Sequence, residues 1–180
     1  MTALVVALVG TDHHPFSRMV DWIDAAATRH RDVHFVVQHG ATRPPLVAEA
    51  HDFLSHDRLA DLLSDASVVV CHGGPGTIVD AREAGHVPLC VPRDPALGEH
   101  VDGHQQRFAH VVAELGVVRE IRSRDTFDVE LESALHQPVG RATTMSGLRD
   151  AARAMAAAEL NQMMGLERHS LLGRLSHAHR

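Results

Sequence analysis

The sequence predicts an α/β fold, a Rossmann-like parallel sheet with helices on both faces. Apolar runs of strand length alternate with stretches whose apolar residues recur at helical spacing. Several of those runs are apolar throughout, as strands covered on both faces must be. A glycine-rich turn, Gly73-Gly74-Pro75-Gly76-Thr77, joins one such run to the helix that follows it.

Residues 3–9 form the first buried strand. Pro15 then opens a helix in which Phe16, Met19, Val20, Ile23, Ala26 and Ala27 share one face. A second strand covers 33–38, and a loop over 39–45 is punctuated by Gly40, Pro44 and Pro45. The apolar pair Phe53-Leu54 marks a brief third strand. Residues 57–65 make a helix with Leu59, Leu62 and Leu63 on one side, 67–71 the next strand, 75–84 a helix and 87–91 a strand. An irregular loop over 92–102 precedes a helix over 103–115, a last strand over 117–121, and closing helices over 125–136 and 143–160. Residues 1–160 therefore read as one domain and 161–180 as a C-terminal tail. In the tail Met163, Met164, Leu166, Leu171, Leu172 and Leu175 sit among Arg and His. It reads as a frayed or loosely docked end, with a partner- or membrane-facing helix as the alternative.

A chain of 180 residues can bury a proper core without staples, since a domain of this size hides roughly 70% of its unfolded surface. The net charge of -6, the absence of Tyr and the single Trp argue against nucleic acid as a partner. Cys71 and Cys90 lie in strand-like runs with no CxxC pair or zinc spacing, so two reduced, buried thiols in a cytoplasmic setting are expected. The chain is apolar from its start without a basic leader, which reads as a core strand and not as a signal peptide. No apolar stretch approaches the ~20 residues that span a bilayer.

Ligands of open α/β sheets sit beyond the carboxyl ends of the strands. Three loops fall there: 10–14, 72–77 and 92–102. In the second, N–H groups around Gly74, Gly76 and Thr77 and the Thr77 hydroxyl suit a phosphate; a tight strand-to-helix turn without a ligand is the plainer reading. Asp80 lies one helical turn after Thr77. The helix dipole alone accounts for a carboxylate there, although a ribose diol would also suit it. His100 and His104 stand four apart, but there is no HExxH motif and Gly103 interrupts any helix through both, so no metal site is assigned. Gln105 and Gln106, amides at a helix start, suit a neutral ligand with many hydroxyls, such as a sugar. His13 and His72 could act as bases or phosphate donors, and spacing alone assigns neither. No GxSxG elbow supports a serine triad, and Ser67 lies inside a strand.

Taken together, these loops carry a resemblance. The matching residues are Gly10-Thr11 with Pro15-Phe16, Gln38-His39-Gly40, residues 66–77, Pro92, and Gly98-Glu99-His100-Val101-Asp102-Gly103-His104-Gln105. Over residues 4–118 the chain resembles the C-terminal, nucleotide-sugar-binding half of GT-B glycosyltransferases of family 28. It is most similar to the stand-alone subunits of two-component systems, those of the dolichol-pathway GlcNAc transferase and of bacterial exopolysaccharide synthesis.

That resemblance implies half of a GT-B fold and an inverting, metal-independent transfer from a UDP-sugar, with no cofactor beyond that donor. Gly73, Gly74, Gly76 and Thr77 would hold the diphosphate, and Asp80 the ribose hydroxyls, where relatives usually carry Glu. Gln105 and Gln106 would contact the donor sugar. His72, beside the phosphate loop, is this chain's own candidate catalytic residue. Thr11 is the one residue carried over from the first loop, which lacks the glycine-rich turn of single-chain relatives. The general base and the acceptor site are expected on a separate, membrane-anchored subunit, which would hold this chain at the inner face of the membrane against a lipid-linked or polysaccharide-precursor acceptor. The alternatives are a non-catalytic nucleotide-sugar-binding or partner-stabilising subunit and a relative of UDP-sugar epimerases.

Overall fold

The computed structural model describes residues 2–136. The expected helix over 143–160 and the tail over 161–180 lie outside the described residues. Six strands form one parallel sheet: β1 (Leu4–Leu8), β2 (His34–Gln38), β3 (Glu49–His51), β4 (Val68–His72), β5 (Leu89–Val91) and β6 (Arg119–Glu120), in the order β3-β2-β1-β4-β5-β6. The helices are α1 (Ser17–Arg29), α2 (His56–Asp65), α3 (Pro75–Glu83), α4 (His104–Glu114) and α5 (Arg124–His136), with a short 3-10 turn at Pro95–Leu97.

Strand order reverses direction between β1 and β4, whose register pairs Val5 with Val68 through Leu8 with Cys71. At such a switch point the connections leave to opposite sides and open a crevice beyond the carboxyl ends. Alternate residues of the central strands feed two cores. Val5, Ala7, Val9, Val68 and Val70 pack with Met19, Ile23, Phe127 and Leu131 of α1 and α5. Val6, Leu8 and Val69 face Leu62, Leu63 and Ala81 of α2 and α3, while Cys71 and Cys90 meet Ile78, Phe108 and Val112 of α3 and α4. Both faces are therefore covered, which is why β1 and the run Val68–Cys71 of β4 are apolar throughout, with His72 only at the strand's carboxyl end.

Two strands differ from the expectation. The third strand is Glu49–His51 and not Phe53-Leu54: Phe53 is 64% exposed, and the Leu54 N–H is taken by Gln38 Oε1 at 3.1 Å. The reason is that β3 is, among the described residues, an edge strand paired only with β2. An edge needs charge more than apolarity, and Glu49 supplies it, bonded to both His34 and His51. The last strand narrows to Arg119–Glu120, because only these residues pair with Leu89 and Cys90; Val117, Val118 and Ile121 are buried beside it. The first helix starts at Ser17, two positions beyond the expected Pro15.

Candidate functional site

At the switch point the turn after β4 is shaped by the absence of side chains. Gly74 caps α3 with no side-chain hydrogen bond, Pro75 fills the first helical position, and Gly76 has open space where a Cβ would be. The first N–H groups of a helix have no intrahelical acceptor, so Gly76 and Thr77 present theirs outward with the positive end of the dipole. Gly73 allows a close approach from α4. A Cβ there would lie 3.1 Å from Gln105 Cβ, so the turn and the start of α4 are in contact across the crevice. Gln105 is buried, and its Oε1 has no hydrogen-bond partner among the described residues. A buried polar atom left open in this way is costly unless something meets it.

His72 stands edge-on between two glycines. Its Nδ1 lies 3.3 Å from Leu8 O, which fits an N–H donated to that carbonyl and leaves Nε2 with the lone pair. A Cβ added at Gly10 would come within 2.7 Å of Nε2, and one added at Gly74 would collide with the same atom. Gly10 also has φ +92°, a left-handed conformation in which a side chain is strained. Burial first, and then the charge of Arg93, push the His72 pKa down to about 4, outweighing the opposing pull of Leu8 and Asp12. His72 is thus a neutral imidazole at neutral pH.

The other expected site residues are spread more widely. Thr11 is exposed on the loop after β1. Asp80 lines a cavity of about 270 Å³ between α2 and α3, with His56, Leu59, Leu63 and Glu83. Gln106 lines a second cavity of about 420 Å³, together with Arg18, Pro92, Asp94, His110 and Arg122. The structure therefore joins Gly73, Gly74, His72 and Gln105, and places Asp80 and Gln106 in two separate cavities.

A buried ionic clamp, absent from the sequence reading, holds the loops after β1 and β5 together. Arg93 is fully buried directly after Pro92. Its Nη1 donates to His14 O (2.6 Å) and Glu99 O (2.9 Å), its Nη2 to Val9 O (3.0 Å), and its guanidinium stacks 4.9 Å from the Phe16 ring centre. Arg18 of α1 grips the Glu99 carboxylate in bidentate fashion at 2.9 and 2.7 Å and also donates to Pro92 O. Glu99 in turn accepts from Asp94 N at 2.8 Å. Beside this clamp Asp12 bonds His14 through both its backbone N–H and its ring. Burial would raise the Asp12 pKa, but those bonds and Arg93 overcome it and hold the carboxyl at about 2. The signal available beforehand was a charged residue placed two positions after a wholly apolar strand.

The profile described as glycosyltransferase family 28 C-terminal domain matches residues 4–160. The chain belongs to this family. A search of curated proteins finds no match. Among solved structures the family 28 domain is similar to the glycotransferase of kitacinnamycin, at 26% identity and a TM-score of 0.53, over 90% of this chain and 43% of that one. It is also similar in fold to CalG4, the calicheamicin glycosyltransferase, at 20% identity and a TM-score of 0.54, over 91% of this chain and 42% of that one. The chain spans less than half the length of either. With the six-stranded parallel sheet, these likenesses make it a Rossmann-like half of the GT-B type. Among the described residues, no helix is long and apolar enough to cross a membrane.

Proposed function

We propose that this chain is the donor-binding half of an inverting, metal-independent glycosyltransferase, which moves a sugar from a UDP-sugar to a lipid-linked or polysaccharide-precursor acceptor held by a separate subunit. The observation that carries this reading is the contact of Gly73 with Gln105, which sets an uncapped helix end and an unpaired buried amide oxygen around one crevice. The diphosphate would lie against the N–H groups of Gly76 and Thr77, where preorganised dipoles stabilise the charge that develops on the leaving group. A hydroxyl of the donor sugar would donate to Gln105 Oε1 and complete its hydrogen bonding. His72, neutral and wedged between Gly10 and Gly74, acts as a positioning residue: it sets the spacing of the two loops that flank the diphosphate. The general base comes from the acceptor half, since transfer requires donor and acceptor held in register.

The divided enzyme rests on the resemblance of the three loops to the stand-alone subunits of two-component systems. Calorimetric titration with UDP and UDP-sugars tests the donor site. Gln105→Ala should weaken UDP-sugar binding about 10-fold while leaving UDP itself nearly unchanged, the cost of one lost hydrogen bond to the sugar. No binding of either ligand removes the donor reading. Binding without transfer, after mixing with an acceptor-half subunit, leaves a nucleotide-sugar-binding subunit in place of an enzyme.

A further inference from the structure

We propose that His100, Asp102 and His104 form a binding site for a zinc-class divalent cation, with its fourth coordination position open to solvent. Nothing in the donor reading requires this site, and it stands or falls separately. The spacing argument against a metal was that no helix can run through both histidines. The structure agrees that α4 begins only at His104, yet the turn over 100–104 itself brings the groups together. One ligand atom from each of the three residues lies within 4.8 Å of the others. His104 Nδ1 is 2.5 Å from Asp102 Oδ1, and His100 Nδ1 is 4.0 Å from the same oxygen. The two rings meet edge to face at 4.7 Å.

The arrangement behind His100 is what distinguishes this turn from an ordinary helix start. Its Nε2 faces Asp12 Oδ2 at 3.4 Å, and its Nδ1 meets the Asp102 N–H at 3.4 Å. A proton on Nε2, donated to Asp12, leaves Nδ1 as the acceptor of that Asp102 N–H, a long bond that an ion would displace. Metal-bound histidines usually donate their other N–H to a carboxylate, which fixes tautomer and ring orientation. Asp12 is itself anchored by His14, so this backing is rigid. His100 is largely buried, whereas the Asp102 and His104 side chains are 57% and 39% exposed and bonded to each other, with Asp102 Oδ1 also accepting from His104 N at 2.9 Å. Ligands about 2.0–2.1 Å from a tetrahedral ion sit roughly 3.3 Å apart, so of the three pairs His104–Asp102 must open and His100–Asp102 close, each by less than about 1 Å. The one other metal-type group among the described residues, Asp12-His13-His14, is less suited. Its His13 side chain is 85% exposed, and Asp12 is already engaged by His14 and His100. An occupied site would fix the turn that leads into Gln105 and offer its open position to water or to a phosphate or carboxylate oxygen.

The test is titration of the full-length chain with Co²⁺, followed by its visible absorption and then by competition with Zn²⁺. One saturable site with tetrahedral bands is expected. His104→Ala and Asp102→Ala should each weaken binding at least about 10-fold, and Asp12→Asn roughly 10- to 100-fold, as losses of a ligand or its backing partner do. Both ligand positions are exposed, and circular dichroism confirms that the variants fold. His13→Ala should leave binding as it is. Absence of a saturable site, binding that survives the triple His100/Asp102/His104→Ala change, or binding lost in His13→Ala would each overturn the proposal.

Discussion

The turn after β4 and the loop after β5 both deliver backbone to the crevice, and they are built in opposite ways. At Gly73 and Gly74 shape comes from missing side chains, with a neutral histidine wedged into the room they leave. From Arg93 to Glu99 shape comes from charge: one buried guanidinium holds three carbonyls, and a second holds a carboxylate. The first design is limited by space and the second by desolvation. Substitutions in the two segments should therefore fail for different reasons and respond differently to compensating changes.

The largest expected effect comes from emptying the charged side. Arg93→Met leaves the carbonyls of Val9, His14 and Glu99 without their donor, and each buried acceptor so orphaned costs about 1–3 kcal/mol. Urea unfolding measures it; a loss under about 1 kcal/mol would mean that the clamp is ornamental and that the contrast is misdrawn.

A change of pH separates the two segments next. Folded His72 titrates at about 4 against 6.5 for the free side chain. As pH falls the unfolded chain takes up that proton first, so the stability tied to a neutral His72 is complete above 6.5 and drains away between 6.5 and about 4. The amount is roughly 3 kcal/mol at most. Asp12 loses its own share lower down, from 3.8 towards 2. A His72→Asn variant should flatten the upper window alone. If wild type and variant lose stability in parallel there, His72 is not the group responsible.

The smallest of the three effects is steric. Gly74→Ala pushes a methyl group into the His72 ring and should cost roughly 1–3 kcal/mol, as overpacking does. In a His72→Ala background the same change should cost almost nothing. Equal costs in both backgrounds would show that the strain lies in the backbone and not between these two residues.

Much of this was legible beforehand, because central strands and helix faces are written in apolar spacing. Leu8, Val36, Val69 and Leu63 behave as their periodicity demands. The edge strand was not legible: Glu49 and His51 look like loop residues, and only pairing with β2 makes them a strand. Glycines 73, 74 and 76 were conspicuous as a group, and the helix start at Gln105 likewise. What joins them is a contact between residues 32 positions apart, which no local pattern reports. Arg93 escaped notice for a related reason. A buried arginine is recognised by its acceptors, and those come from Val9, His14 and Glu99 on two distant loops.

Cys71 and Cys90 stand opposite each other on β4 and β5, both with no accessible surface, and they are the chain's only cysteines. Contact with Cys90 and then burial push the Cys71 thiol well above its ordinary range, away from the reactive thiolate. A bulky sulfhydryl label can reach neither sulfur until the centre of the sheet comes apart. The protein thus carries a native clock for its own opening: the rate at which such a label is taken up reports how often the crevice's scaffold lets go.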